Sequence, residues 1–215
     1  MEQPSTLLAD AQPENHFGRA RGENRVVTAR IRCYQFSMFR LLLICVFVSA
    51  ACATRAGEFP DAWTWTDAPA GQAPRVHESK PMPPLKLTGW LNGKVTPDAM
   101  KGKVVMIDFF TTWCVTCIED IPHNNELFEK YKEKGLVMIG VCTSNQGLEN
   151  MPNLVREHKM KYPAALDPKL DALKAWDVSM YPTYALIDRR GIVRIISLKP
   201  EYLETVIQKL LAEGT

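Results

Sequence analysis

The chain has 215 residues, enough for one domain of ordinary size with appendages. Its composition, 46% hydrophobic and 23% charged, is that of a globular protein rather than a fibrous or low-complexity one. A formal net charge of +2 with no basic block or stripe leaves no electrostatic footprint for nucleic acid, so no nucleic-acid partner is expected.

Six cysteines are unevenly placed. Cys33, Cys45 and Cys52 fall in the first quarter, and Cys114, Cys117 and Cys142 fall where a folded domain is expected. A disulfide-stapled scaffold carries paired cysteines throughout a shorter chain. One close pair with scattered singles points instead to redox chemistry.

Residues 1–37 are polar and lack a sustained period. Met38-Phe39-Arg40 then leads into an apolar run, Leu41 to Ala51, and small residues follow. A basic residue, an apolar stretch too short for a well-anchored span and a small-residue end make residues 38–53 a secretory signal. Such a signal sits at an N-terminus, so the hypothesis is that translation begins at Met38 and that 1–37 is a non-native or disordered extension. Detection of residues 1–37 in the native precursor by mass spectrometry sinks it. Ser49-Ala50-Ala51-Cys52 also resembles a bacterial lipoprotein box, with Ser49 where a larger aliphatic residue is usual. Lipidation of Cys52 and plain cleavage near Ala51-Cys52-Ala53 both remain open, and both export the domain. Residues 54–81, rich in proline, alanine and polar side chains, read as an extended linker. Trp63 and Trp65 interrupt it, either packed on the domain or exposed.

The domain is expected over 82–215. Leu85–Leu87 and Trp90–Val95 flank Asn92-Gly93, a hairpin signal. The run from Val104 to Phe110 is apolar except for Asp108 and reads as a strand buried on both faces. A helix is predicted from Cys117 to Lys134, stopped by Gly135. Leu136–Thr143 is a second buried strand, and 147–159 and 168–176 look helical. Pro182–Asp188 and Ile192–Ser197 form a hairpin, and Glu201–Ala212 a closing amphipathic helix. This order predicts an α/β fold, a mixed central sheet flanked by helices on both faces.

Trp113-Cys114-Val115-Thr116-Cys117 directly follows a buried strand and opens a helix. A Cys-x-x-Cys pair alone is also half a zinc site, but no second pair completes one. At a helix N-terminus, free N–H groups and the positive end of the dipole favour an anion. A Cys114 thiolate is therefore stabilised, and Cys117 lies one turn inward. Cys114 forms the mixed disulfide with a substrate, and Cys117 resolves it. The working group is the Cys114–Cys117 disulfide, and no cofactor or metal is expected. Cys142 reads as a small core residue, with a regulatory thiol as the sharper alternative. His123 and His158 read as solvated.

The stretch from Gly102 to Cys117, then Pro122, then Tyr181-Pro182-Thr183, resembles the thioredoxin superfamily over about residues 82–215. Within it the chain is most similar to the exported TlpA/ResA-like branch. The resemblance implies a thioredoxin-like fold with an N-terminal hairpin and a central insertion around 145–178. It places Asp108 as a buried acid that moves a proton to or from Cys117. It makes Pro122 the proline of the active-site helix and Pro182 a cis-proline. A cis bond there brings the backbone of Tyr181 beside the disulfide, where, with Trp113, it meets an extended substrate segment. Asp120 stands where ResA-like proteins carry a glutamate, and Glu119 is adjacent. Carboxylates near Cys114 oppose the thiolate and favour the disulfide, which predicts a reductant.

The expected function is an exported or membrane-anchored thiol–disulfide oxidoreductase on the periplasmic, extracytoplasmic side. Its partners are cysteine-containing proteins and a membrane or exported electron donor. Two alternatives stand beside it. One is a peroxiredoxin-like thiol peroxidase, which Thr111-x-x-Cys114 partly fits but Ile107 and a second cysteine at 117 do not. The other is a copper- or haem-delivery module that uses both cysteines as ligands.

Overall fold

The computed structural model describes residues 58–65, 74–144 and 146–214. The expected signal 38–53, the extension 1–37, Cys33, Cys45 and Cys52 lie outside the described residues. Among the described residues, six strands form one mixed sheet: β1 (Thr88–Leu91), β2 (Val104–Phe110), β3 (Leu136–Cys142), β4 (Ala164–Leu166), β5 (Thr183–Ile187) and β6 (Val193–Leu198). Their order is β1-β4-β3-β2-β5-β6. β2 runs parallel to β3 and antiparallel to β5, β4 runs parallel to β3, and β1 and β6 close the two edges antiparallel.

All seven residues of β2 are buried, because the strand is central and covered on both faces. Side chains alternate across a strand. Val104, Met106 and Phe110 therefore share a core with Ile121 and Leu127 of α2 (Val115–Tyr131) and Val206 and Leu210 of α5 (Leu203–Ala212). Val105, Ile107 and Phe109 meet Trp176, Val178 and Ala172 on the opposite face. Asp108 belongs to the first set by the same alternation, so it faces the helix that carries the cysteines. Each Val, Leu, Ile, Phe or Met side chain among these contributes about 1.5–3 kcal/mol by leaving water.

The predicted strands and helices of the domain are present, with four local differences. The Asn92-Gly93 hairpin does not form. Both residues adopt positive φ, 57° and 105°, as such a turn requires. However, the Asn92 amide donates to the carbonyls of Met160 (2.6 Å) and Tyr162 (3.3 Å), which ties the turn to another segment. β1 pairs with β4, and the chain continues into α1 (Pro97–Met100), whose first turn Thr96 caps. The helix expected over 147–159 is a 3₁₀ turn, Leu148–Asn150, followed by α3 (Met151–Glu157).

The helix expected at 168–176 shortens to α4 (Asp171–Ala175). The buried Asp167 carboxylate accepts from the backbone N–H of Asp171 and Leu173, both at 2.9 Å, which fixes where the helix starts. The fourth difference concerns residues 54–81, expected as a linker. Their described parts pack on the domain instead. Phe59 is buried, and Trp63 lies between Phe59 and Tyr202, stacked 4.7 Å from the tyrosine ring. Trp65 takes the Lys199 ammonium over its ring. Arg194 of β6, itself buried, binds Glu58, Asp188 and Glu213. Phe59, Trp63 and Trp65 carry enough apolar surface to dock, which a purely polar linker does not.

Candidate active site

Cys114 is the N-cap of α2, and its sulfur accepts a hydrogen bond from the Cys117 N–H at 3.2 Å. The two cysteines are joined in a disulfide, with Cα atoms 5.3 Å apart. Cys114 is 7% exposed and Cys117 3%, so the outer sulfur is the one a partner reaches. The strand-to-helix turn produces this arrangement. β2 delivers the chain to the helix start, where the Cys117 N–H and the positive end of the helix dipole face Cys114 Sγ. Thr116 Oγ1 lies 3.4 Å from the same sulfur. Reduced Cys114 therefore meets a local field that favours thiolate.

Asp108 is buried beneath the helix. The Tyr162 hydroxyl donates to its Oδ2 at 2.8 Å and the Asn124 amide at 3.3 Å, while Oδ1 has no hydrogen-bond partner. Burial pushes the carboxyl up to about 7, assisted by the charge of Asp120 and opposed by the two donors. A group with that value exchanges protons near neutral pH. The Asn124 amide also donates to the Tyr184 hydroxyl (3.1 Å), which donates to Asp120 Oδ2 (2.9 Å). Asp120 is thus held on the buried network, half-buried, with its carboxyl raised by desolvation. Glu119 points to solvent on the same helix. Pro122 sits inside α2 and removes one helical N–H.

Trp113 is 61% exposed and Val115 66%, an apolar rim on either side of Cys114. The Trp113 indole donates to Ser144 Oγ at 3.3 Å and meets the Tyr181 ring edge-on at 6.0 Å. Tyr181 precedes a cis peptide bond to Pro182, and its hydroxyl donates to the Thr143 carbonyl. Trp113 and Tyr181, with Ser144, Gln146, Leu170 and Leu173, line an open groove of about 400 Å³. Leu170, between β4 and α4, and Leu173 of α4 contribute to its lining. Leu170 there adopts φ 57°, a conformation costly for leucine, between Asp167 and the capped helix start. Cys142 is fully buried, and burial pushes its thiol up to about 12.

Tyr162, Asn124, Tyr184 and Asp167 were not among the residues expected from sequence. Asn124 had a readable signal, because it follows Cys117 and Ile121 at helical spacing on the core-facing side of α2. A polar residue on that stripe needs a buried partner. Tyr162 lies outside regular structure, and its role appears only once the sheet is assembled.

Residues 77–211 match the family described as Redoxin. The thiol-disulfide oxidoreductase ResA of Bacillus thuringiensis subsp. konkukian is 32% identical over 141 residues, covering 66% of this chain and 80% of that protein. Protein DipZ of Mycobacterium bovis is 36% identical over 144 residues, 61% of this chain but 21% of the longer protein. A crystal structure described as a thiol:disulfide interchange protein DsbE from Chlorobium tepidum superposes with a TM-score of 0.56 at 27% identity. It covers 61% of this chain and 97% of its own. A solution structure of an oxidised thioredoxin-like protein gives a TM-score of 0.55 at 28% identity over 63% and 97% of the two chains.

Proposed function

Because this chain belongs to the Redoxin family within the thioredoxin superfamily and is a thiol–disulfide oxidoreductase, we propose that it is an exported reductant of disulfides in cysteine-containing proteins. The observation that carries this reading is the placement of Cys114. It is a capped, dipole-facing sulfur at the edge of an apolar rim, bonded to a more deeply buried resolving cysteine. The reduced Cys114 thiolate attacks one sulfur of a partner disulfide and releases the other as a thiolate. Asp108 takes the proton of Cys117. The Cys117 thiolate then attacks Cys114 Sγ, the bond to the partner breaks, and the partner leaves with two electrons gained. The enzyme is left as the Cys114–Cys117 disulfide, which a membrane or exported donor must reduce.

The reducing direction is supported by the surroundings of the pair. Asp108 and Asp120 lie on the helix's inner side, and neither Val115 nor Thr116 offers a cation to a thiolate, so no side-chain cation adds to the helix N-terminus in stabilising the reduced form. A reduction potential below about −200 mV agrees with this; one near about −120 mV marks an oxidant and overturns it. Cys117→Ser should trap partners on Cys114 as mixed disulfides, and recovery of none sinks the protein-substrate reading. Export is supported by the signal-like residues 38–53. Lipid labelling that is lost in Cys52→Ala distinguishes an anchored form from a cleaved one.

A further inference from the structure

Asp108 has a direct neighbour across the sheet at Gly140 of β3. Gly140 interrupts an otherwise apolar strand. A Cβ there would stand 3.1 Å from Phe110 Cε1, 3.2 Å from Ala164 Cβ and 3.2 Å from Tyr162 Cε2. Those distances are tighter than ordinary van der Waals contact. The missing side chain is therefore the space into which the Tyr162 ring packs, fully buried, with its hydroxyl on Asp108 Oδ2. Asn124 donates to the same oxygen. Each carboxylate oxygen accepts about two hydrogen bonds, so Oδ2 is saturated and Oδ1 is left open in a buried site.

We propose that Tyr162, seated over Gly140, is a positioning residue for the resolving step. It fixes the Asp108 carboxyl so that Oδ1 is the atom that takes the proton of the Cys117 thiol. This inference rests on the reading of Asp108 as that proton acceptor. The balance is simple. The Cys117 S–H bond breaks and an O–H bond forms on Oδ1. The electron pair left on sulfur forms the bond to Cys114 Sγ as the Cys114–partner bond breaks. The departing thiolate is protonated by water, and Asp108 later returns its proton to water.

The groups that act on Asp108 come from every element packed against it. They are Tyr162 ahead of β4, Asn124 and Asp120 on α2, Tyr184 on β5 and Cys142 on β3, with His123, Glu119 and Glu201 acting in turn on Asp120. Tyr162, Tyr184 and Cys142 are all held in their protonated forms by burial, so the first two act as donors and the third as a neutral neighbour. Asp120 is the carboxylate that acts on Asp108 directly, and it opposes ionisation of Asp108.

Tyr162→Phe keeps the ring and removes the donor. The reduced full-length protein is mixed with a peptide disulfide, and the second, unimolecular phase of its oxidation is followed by tryptophan fluorescence against pH. The midpoint of the Asp108 limb should move upward by about one pH unit, with resolution about tenfold slower below it. Gly140→Ala, which displaces the ring, should move the limb in the same direction. In an Asp108→Asn background, Tyr162→Phe should add nothing. An unmoved midpoint in Tyr162→Phe overturns the inference. So does equal slowing at all pH values in both backgrounds, the mark of a merely structural residue. If the limb survives Asp108→Asn unchanged, the assignment of Asp108 as proton acceptor fails instead.

Discussion

Asp108 and Cys142 sit on the same face of neighbouring strands, and burial drives both toward their protonated forms. For Asp108 this has a consequence for stability. The folded state holds the proton up to about pH 7, whereas the unfolded chain releases it near the ordinary carboxylate value of 3.8. Between those values the native state binds more protons than the unfolded state, so stability falls as pH rises through the window. The loss is on the order of 4 kcal/mol if it develops fully. Asp108→Asn should flatten the pH dependence and make the protein more stable than the parent at pH 8, as measured by urea unfolding at pH 5 and pH 8. Equal slopes in the two proteins defeat this account. For Cys142, a thiol held near 12 and closed off from water is a poor nucleophile. Native reduced protein should leave Cys142 unmodified by iodoacetamide while Cys114 reacts, with the sites read by peptide mass spectrometry. Prompt labelling of Cys142 would restore the regulatory-thiol reading.

At the scale of elements, the segment between β4 and α4 depends on one side chain. Asp167 accepts from Thr143 Oγ1 and from two N–H groups at the start of α4, and that start positions Leu170 and Leu173 in the groove. Asp167→Ala leaves those donors unpaired and should cost about 2 kcal/mol. It should also raise hydrogen exchange in Asp171–Ala175 while leaving β2 protected; unchanged exchange there shows that packing alone holds the helix. This part of the site was the least legible in the sequence. The strand from 104, the helix after Cys114 and the closing helix could be read because apolar periodicity and helix caps are local signals. Cys114, Cys117 and Asp108 could be read because their chemistry is tied to that local context. The groove wall, the Tyr162 contact and the diverted Asn92-Gly93 turn depend on residues far apart in the chain, whose partners only the assembled sheet defines. The short α4 was misjudged for a related reason. Asp167 precedes the predicted helix, and its carboxylate sets where α4 starts.

Among the described residues, the largest departure from expectation is at 58–65 and 74–82, which dock along β6. Trp63→Ala should destabilise the domain by about 2–3 kcal/mol, through lost burial and lost stacking on Tyr202. Urea unfolding checks this, and a change below about 0.5 kcal/mol would return the segment to the status of a linker. The same segment meets the backbone of the sheet's last strand. Trp65 N–H donates to Ser197, Lys199 to Trp63, Ser79 to Val193, and Val193 to Lys80. An uncovered border strand offers those same groups to any other chain. Proteolytic loss of the first 82 residues would therefore leave a catalytic core whose flank is sticky, prone to intermolecular pairing and filaments while its cysteines remain intact.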